Sequence, residues 1–307
     1  MRESSAHSES STSHTPLTTD TPSPRRKWHL QRWLLLLAAG FLAYGGWTQY
    51  AFRAALKEAW ALGWTVYYVD PYEEIRADWK AALRKATWLD GVTKVEIPTS
   101  EEFEQHLAIL HRLNPKELVI FNSSTLRDLP KLNGISRLRT IVLIDCKVLT
   151  NVDALKNLSA LKKLGLLGYT GLTDLDALRN LSALRTLGLH DCTRLTDLAA
   201  LKNLSGLKQI YITGCTGLTN VDALKNLSAL QVVSLTRCKG LTNVDGLKNL
   251  STLQEVSLID CTGLTNVDAL KNLSALQYVH LTGCTGLSEE SVVSLKAALP
   301  NAKINGP

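Results

Sequence analysis

The residues best suited to chemistry in this 307-residue sequence are six cysteines, and their spacing is regular. Zinc sites and small disulfide frameworks use close spacings such as C-x2-C, which this sequence lacks. A constant spacing instead predicts equivalent corners of stacked turns, where each cysteine points inward as a small buried group. Turns stacked ~4.8 Å apart would allow disulfides by distance, but parallel side chains disfavour the disulfide dihedral, so we expect free thiols. The cysteines lie 23 residues apart, or twice that, at Cys146, Cys192, Cys215, Cys238, Cys261 and Cys284.

Serine and histidine provide one candidate pair for nucleophilic catalysis. Ser257 and His280 stand at equivalent positions one repeat apart, so their side chains could touch. A nucleophile also requires an orienting acid and an oxyanion hole, and no glycine-rich elbow is present to form one. His190 and His280 lie about four turns apart, roughly 19 Å at strand spacing, which is too far to share a metal. We therefore predict no catalytic residue, no metal site and no cofactor, and a protein that is not an enzyme.

A 23-residue repeat must position all of these side chains. Residues 218–240 recur as 241–263 and as 264–286, and earlier copies reach back to Leu126, where the pattern is eroded. Each copy contains L-x-x-L-x-L-x-x-C, whose L-x-L segment has the alternation of a short β-strand. The three-residue spacing of apolar residues from Val221 onward predicts 3₁₀ or single helical turns. One copy cannot bury its leucines, so the copies must stack as a solenoid.

The repeat resembles the leucine-rich-repeat family, whose signature is L-x-x-L-x-L-x-x-N/C-x-L. Its convex segment V-D-A-L-K-N-L-S-A-L is similar to internalin-type repeats, and its cysteine is similar to that of the cysteine-containing subclass. The resemblance covers residues 118–304 and implies an α/β fold, with a parallel β-sheet on the concave face and short helical or 3₁₀ turns on the convex face. Tyr169 departs from this pattern because it replaces the cysteine of its turn, where we expect a local bulge.

Composition and pattern divide the chain into five segments. All seven tryptophans precede residue 90, so the N-terminal third differs from the repeats. Strand and helix patterns alternate before the array in a cap that we expect to be built like the repeats, and a helix from Glu289 closes the other end. The segments are a disordered Ser/Thr/Pro-rich tail (1–24), a transmembrane signal-anchor helix with its extension (25–62), an α/β N-terminal cap (63–117), the leucine-rich-repeat array (118–287) and a C-terminal cap (288–307).

Residues 33–52 form a segment of 20 residues without a charge. This length is enough to cross the ~30 Å hydrocarbon layer of a membrane. Four basic residues precede the segment and two follow it, so the positive-inside rule predicts a cytoplasmic N-terminus. The expected localisation is a single-pass membrane protein whose repeats lie in the periplasm or outside the cell. A cleaved signal peptide and a buried helix of a soluble protein are the alternatives.

The distribution of charge limits the class of partner. The formal net charge is +6, and much of the excess lies in the first 60 residues, which argues against a nucleic-acid binder. On the convex side a basic residue follows an aspartate by three residues in most repeats, so we expect the two charges to offset each other. The sequence thus predicts a protein partner and a membrane contact through residues 33–52, with no nucleic acid and no small-molecule substrate.

The candidate binding site is the concave face. Because the leucines of L-x-x-L-x-L face the core, the residues that flank them face the opposite side. These positions, from Val119 onward, differ in every copy, whereas the convex segments are nearly identical. Apolar and amphipathic residues on a surface without a packing need mark interaction sites. The predicted site consists of Phe121, Val142, Ile144, Leu167, His190, Tyr211, Thr213, Thr236, Tyr278 and His280.

The predicted function is non-catalytic protein binding by a leucine-rich-repeat solenoid that is displayed from a single-pass membrane anchor. The alternative is a structural or envelope scaffold whose array acts as a spacer or self-associates. A binder should carry a varied, partly apolar concave surface, and a spacer should not. The sequence also leaves open that the N-terminal cap folds over part of the apolar patch.

Overall fold

The computed structural model describes residues 54–59, 61–62, 64–68, 92–97, 107–121, 129, 131–132, 134–147, 149 and 152–306. Residues 52–307 form the second of two units of the chain, and all described residues belong to it. The predicted tail and the predicted membrane segment 33–52 lie outside the described residues. Among the residues that are described, no helix is both long enough and apolar enough to cross a membrane.

One sheet of eleven strands, arranged in sequence order, organises the second unit. The strands are β1 (Thr65–Tyr68), β2 (Val92–Ile97), β3 (Glu117–Phe121), β4 (Thr140–Ile144), β5 (Lys163–Leu167), β6 (Thr186–His190), β7 (Gln209–Thr213), β8 (Val232–Thr236), β9 (Glu255–Ser257), β10 (Tyr278–His280) and β11 (Lys303–Asn305). From β2 to β11 every neighbouring pair is parallel. A parallel pair requires a crossover connection, so the chain returns to the same end of the sheet after each strand. This is the solenoid that the repeat predicts.

Alternation along each strand decides which side chains are buried. In β6, Leu187 and Leu189 are buried, while Thr186, Gly188 and His190 are partly exposed. From β3 to β8 the strands pair residue for residue one repeat apart. The inward side chains of successive turns therefore stack into one continuous core. Because full burial of a leucine contributes ~2 kcal/mol, the array derives its stability from this shared interior.

The convex side is built from 3₁₀ turns, as the three-residue spacing predicts. They span Asp153–Asn157, Asp176–Leu178, Ala199–Leu201, Asp222–Leu224, Asp245–Leu247 and Asp268–Leu270. In the last five, an Asp or Asn two residues earlier accepts the backbone N–H of the first residue of the turn. Asn220 Oδ1, for example, lies 3.2 Å from the Asp222 nitrogen. Each of these five turns thus begins with an Asx turn that its own repeat supplies.

A residue with a left-handed backbone follows each strand from β4 to β10. At some of these glycines, the aspartate one repeat earlier places its carboxylate where any larger residue would have its Cβ. A Cβ on Gly214, for example, would lie 2.1 Å from Asp191 Oδ1. Glycine and aspartate tolerate this conformation better than most residues do. Six of the seven residues are one of these two types, and Arg237 is the exception. The seven residues recur every 23 positions with φ between 54° and 79°, at Asp145, Gly168, Asp191, Gly214, Arg237, Asp260 and Gly283.

The first strand departs from the pattern of the array. β1 pairs antiparallel with β2, and its register shifts between Tyr67 and Tyr68. The prediction of a cap built like the repeats is therefore wrong for β1. An antiparallel, irregular edge ends the ladder, because it does not present the hydrogen-bonding pattern that another parallel turn would need.

Two helical segments cover the N-terminal end of the core. Helix α1 (Leu107–Leu113) lies between β2 and β3 in the chain and buries Ile109, Leu110 and Leu113. Residues 54–59 are also helical, and their Ala55 and Ala59 belong to the same core as the repeats. An ion pair between Arg112 and Glu58 joins the two segments at the surface.

The C-terminal cap has the helix that the sequence predicts, α2 (Glu289–Ala298), followed by β11. Ser288 caps the helix, because its Oγ accepts the backbone N–H of Ser291 at 3.2 Å. Val292 and Leu295 are buried beneath the helix. The cap thereby covers the apolar end that the last turn would otherwise expose.

Leu235 provides a test of the shared core. It lies in β8, in the middle of the array, and is fully buried. We expect Leu235→Ala to lower the free energy of unfolding by ~2–5 kcal/mol, the range for truncating a buried leucine. Denaturant unfolding followed by circular dichroism measures the change. The control is Lys225→Ala, at an exposed convex residue; equal losses in both variants would contradict the burial of Leu235.

Candidate functional site

The cysteines line the interior of successive corners as free, fully buried thiols. In the later turns each thiol donates to a backbone carbonyl of the preceding turn. Cys261 Sγ lies 2.6 Å from the Leu235 oxygen, and Cys284 Sγ lies 2.7 Å from the Leu258 oxygen. The Cys261 and Cys284 thiols therefore bind the backbone of the neighbouring turn, whereas the Cys192 and Cys215 thiols interact with each other. Burial raises the pKa of Cys261 to about 12, so this thiol stays protonated near neutral pH.

Tyr169 occupies the cysteine position of its turn and is fully buried. β5 nevertheless pairs in unbroken register with both neighbouring strands, so the substitution affects only the turn, where the hydrogen bond from the Leu172 nitrogen to the Tyr169 oxygen is 3.5 Å, against 3.1 Å for Leu195 and Cys192 in the next turn. The ring points into the interior, and the strand is not displaced. Its hydroxyl group has no hydrogen-bond partner among the described residues. Burial, and to a lesser extent the neighbouring Cys146, raise the pKa of Tyr169 above its ordinary value.

Ser257 and His280 are register partners on β9 and β10, as predicted. Ser257 is only 6% exposed, so a substrate cannot reach its hydroxyl group. The next backbone amide, that of Leu258, donates to the His280 carbonyl and is not available to stabilise an oxyanion. His280 Nδ1 lies 3.1 Å from Asn305 Nδ2, which holds the ring against the C-terminal cap. Ser257 and His280 are therefore packing neighbours within the sheet.

His190 has a separate local partner, because its Nδ1 lies 3.0 Å from Asp191 Oδ2. Within the part of the chain that the structure describes, no group of three or more His, Cys, Asp or Glu residues could hold a metal ion.

Six of the ten predicted site residues form one continuous ladder on the concave face. They occupy the last position of each strand from β3 to β8, in register with one another, so neighbouring members lie ~4.8 Å apart. All six are partly exposed. The ladder is apolar at its N-terminal end and polar at its C-terminal end: Phe121, Ile144, Leu167, His190, Thr213 and Thr236.

A second ladder runs along the middle of the strands and contains a depression. Val142 and Tyr211 belong to it, and between them stand Gly165 and Gly188. A Cβ on Gly188 would meet no atom closer than 3.9 Å, so the space above it is open. Over Gly165 the space is narrower, since Val142 and Leu167 carbons would lie 3.2 Å from a Cβ there. We call this depression, walled by Val142, Leu167 and Tyr211, the glycine hollow.

The remaining two predicted residues form a separate cluster near the C-terminal cap. The rings of Tyr278 and His280 are parallel, with centroids 6.5 Å apart. Lys303 Nζ lies 5.6 Å from the centroid of the Tyr278 ring. Tyr211 and Tyr278 are each 40% exposed, the most of the predicted aromatic residues. The structure therefore brings eight predicted residues together around the two ladders and places the other two apart from them.

The simple alternation of concave and core positions fails in two places. Val119 is only 4% exposed and contributes no surface, because β3 buries three consecutive residues instead of alternate ones. At the other end, β9 and β10 each contain only three residues. Ile259 and Thr282, which we expected on the strands, lie in the following turns.

Sequence reasoning missed a row of basic residues at one rim of the sheet. The residue immediately before each strand from β3 to β7 is basic, and the corresponding residue before β8, β9 and β10 is glutamine. The signal was available, since the alignment that gives the concave positions also aligns the residues one place earlier. We call this set the strand-start row: Lys116, Arg139, Lys162, Arg185 and Lys208.

The parallel sheet in sequence order, the 3₁₀ turns and the varied concave face define a leucine-rich-repeat solenoid. The chain is similar to the leucine-rich repeat domain of the type III effector XopL, with 20% identity and a TM-score of 0.55 over 95% of this chain and 98% of that one. It is also similar to internalin C2 from Listeria monocytogenes, with 24% identity and a TM-score of 0.51 over 65% of this chain and 83% of that one. No family model and no curated protein matches the sequence. These likenesses confirm the predicted leucine-rich-repeat fold.

The cysteine geometry predicts six free thiols that react only when the chain unfolds. Maleimide labelling in denaturant, without reductant, should modify all six cysteines. In the native protein near neutral pH, labelling should be slow, because the thiols are buried and the raised pKa of Cys261 leaves little thiolate. A sample reduced before unfolding gives the reference count. Four or fewer labels without reductant would show that disulfides form.

Proposed function

We propose that this chain is a non-catalytic protein-interaction module whose concave face binds a partner protein. The observation that carries the proposal is the contrast between the two faces of the same turns. Convex segments repeat nearly unchanged, while the combination of concave residues differs from turn to turn, even though Gly165 matches Gly188 and Thr213 matches Thr236. Stacking would accept the same residue in every turn. Variation confined to the face that does not pack is what a recognition surface requires.

The chemistry of the concave face supports protein as the partner. Val142, Ile144 and Leu167 are partly exposed, although the core lies on the other side of the sheet. Tyr211 lies on the same face, two strands beyond Leu167, and is one of the two most exposed aromatic residues described. Interfaces gain most of their binding energy from such aromatic anchors surrounded by apolar contacts. Because the side chains stand on a hydrogen-bonded sheet, little ordering is needed on binding.

We also propose that residues 33–52 anchor the chain in a membrane and that the array lies on the far side from the N-terminus. The proposal rests on the 20 uncharged residues of this segment and on the excess of basic residues before it. The protein would then present its concave face in the periplasm or outside the cell.

Reporter fusions test this topology. A reporter that is active only outside the cytoplasm should be active when it is fused after Pro307, because the basic flank retains the N-terminus inside. A reporter that requires the cytoplasm should be inactive at the same position. Replacing Arg25, Arg26 and Lys27 with glutamine should weaken this preference. Cytoplasmic activity of the unmodified fusion would overturn the proposed localisation.

A double variant tests the binding face. Full-length protein should capture its partner from envelope or cytoplasmic extract, and the captured protein is identified by mass spectrometry. Ile144→Asp combined with Tyr211→Ala should abolish that capture, since it places a charge in the apolar ladder and removes an aromatic anchor. The melting temperature should change little, because both side chains lie outside the core.

The matched control places equivalent changes on the convex side. Ala199→Asp with Lys202→Ala alters two exposed residues, and aspartate already occupies the position of Ala199 in neighbouring repeats. Capture should survive in this variant. If capture also survives in the concave variant, the concave face is not the binding site and the scaffold alternative gains support.

A further inference from the structure

The five basic residues of the strand-start row are stacked directly on one another. Each member after Lys116 donates its backbone N–H to the carbonyl oxygen of the member one turn earlier. The four N···O distances along the row are 2.8, 2.7, 2.8 and 2.8 Å. Gln231 continues the stack by donating to the Lys208 oxygen at 2.8 Å. At the ~4.8 Å spacing of strands, the row is a line of positive charge about 19 Å long. Lys163, exposed next to Lys162, adds a sixth positive charge to the same rim.

These charges have no acidic partner within the described part of the chain. No member of the row forms an ion pair there. Three of the six convex basic residues behave differently: Lys156, Arg179 and Lys271 each lie 2.6–2.7 Å from an aspartate three residues earlier. Before the last four members of the row, the position three residues earlier holds serine. Like charges stacked on neighbouring strands repel each other, so the row lacks internal compensation.

The two arginines of the row are held in place by the backbone. Arg139 Nη1 donates to the Ser136 oxygen at 3.0 Å and to the Leu138 oxygen at 2.9 Å. Arg185 Nη1 donates to three carbonyl oxygens, including that of Gly206 in the next turn at 3.2 Å. Carbonyl groups fix these guanidinium groups without neutralising their charge. These two positive charges of the row are therefore already ordered before a partner arrives.

The glycine hollow lies in the same turns as the row. Glycine is unfavourable within a strand and often marks a close approach of another chain. The fold does not require glycine at position 188, because its φ is not left-handed and a Cβ would meet open space. The hollow is floored by peptide planes and walled by Val142, Leu167 and Tyr211. The open part lies above Gly188, next to the Tyr211 ring, where the aromatic side chain of a partner could stack.

We propose that the concave face binds an extended acidic segment of a partner protein, whose carboxylates lie along the strand-start row and whose aromatic side chain occupies the glycine hollow. This inference rests on the proposed function and specifies its partner. Uncompensated basic charge follows only the rim where the strands begin. At the rim where the strands end, the same turns carry both signs, with Asp145 and Lys147 after β4 and Asp191 and Arg194 after β6. A single acidic strand matches a one-sided line of charge beside an apolar hollow. A nucleic acid is the competing ligand, because its phosphates would match the charge and a base could stack in the hollow.

The first test measures binding of a labelled synthetic peptide, a ten-residue alternation of glutamate and serine with one central phenylalanine, to the full-length protein. Binding should weaken with salt. Lys162→Gln with Lys208→Gln should weaken it about tenfold, since each lost contact with a carboxylate reduces affinity by roughly threefold to fivefold at an exposed site. Glutamine occupies the same place before β8, so these changes preserve the fold. Gln231→Lys, which extends the row by one turn, should strengthen binding by about threefold.

The control for charge is Lys202→Gln with Lys225→Gln, the same change at two exposed convex lysines. It should leave peptide affinity unchanged. If it weakens binding as much as the row variant does, the peptide responds only to net charge and the proposed site is wrong.

The second test concerns the hollow. Gly188→Val fills the open space and should weaken peptide binding at least tenfold, while the melting temperature stays the same or rises because valine favours strands. Ser234→Val, in the same ladder beyond Tyr211, is the matched control and should bind normally. A peptide with alanine in place of phenylalanine should bind the unmodified protein about tenfold more weakly and should not respond to Gly188→Val.

Other ligands give distinguishable outcomes. A single-stranded DNA oligonucleotide or anionic lipid vesicles that bind as tightly as the peptide, and that ignore Gly188→Val, would overturn the proposal in favour of a general anion site. Concentration-dependent dimerisation that the row variant abolishes would make a second copy of this chain the occupant and would also overturn it.

Failure of this inference can be separated from failure of the proposed function. If capture of the natural partner is lost in the Ile144→Asp, Tyr211→Ala variant but unaffected by Lys162→Gln with Lys208→Gln and by Gly188→Val, the concave face binds protein by other contacts and only the acidic-segment inference fails. If all these variants capture the partner normally, both proposals fail.

Discussion

A turn of 23 residues cannot bury its own leucines, and the rest of this structure follows from that constraint. Each turn presents its inward side chains to the turns before and after it, so the strands must pair in register at the repeat spacing. Register in turn fixes the corners, where left-handed residues, cysteine thiols and carbonyl groups of adjacent turns meet. The same constraint explains the caps, because the first and last turns each lack one neighbour.

The features that repeat could be predicted from the sequence, and those that occur once could not. Apolar spacing was sufficient to predict the strands, the 3₁₀ turns and the inward cysteines, since every copy carries the same signal. The antiparallel pairing of β1, the burial of Val119 and the short β9 and β10 depend on contacts at the ends of the array. Tyr169 shows the limit of the pattern, because its ring fits inside the turn where a substitution suggested a bulge. The concave face was predictable as a surface, and the strand-start row could have been found one place earlier in the same alignment of repeats.

The backbone of the sheet is fully used in holding the turns together, and this limits what the concave face can do. Strand amides and carbonyl groups are committed to neighbouring strands, so recognition depends on side chains alone. Catalysis usually requires backbone donors directed at a reacting atom, and the Ser257–His280 pair shows how the ladder occupies them. Binding requires only that side chains of suitable chemistry stand at fixed positions. The solenoid supplies those positions at regular intervals on a surface that need not pack.

Because successive turns are structurally equivalent, comparing the residues at one position in all turns shows which residue types stacking requires and which it merely tolerates. The residue before each strand from β3 to β10 is lysine, arginine or glutamine. Whichever it is, from β4 onward its backbone N–H donates to the carbonyl oxygen of the equivalent residue in the preceding turn. Stacking therefore does not explain why the first five members are basic and the next three are neutral. In the same way, the middle position of the strands accepts valine, tyrosine, serine or glycine without a change of register. The basic row and Gly188 occur in the same turns, although the fold requires neither of them. The proposed acidic segment would account for both features and for their coincidence, which packing does not.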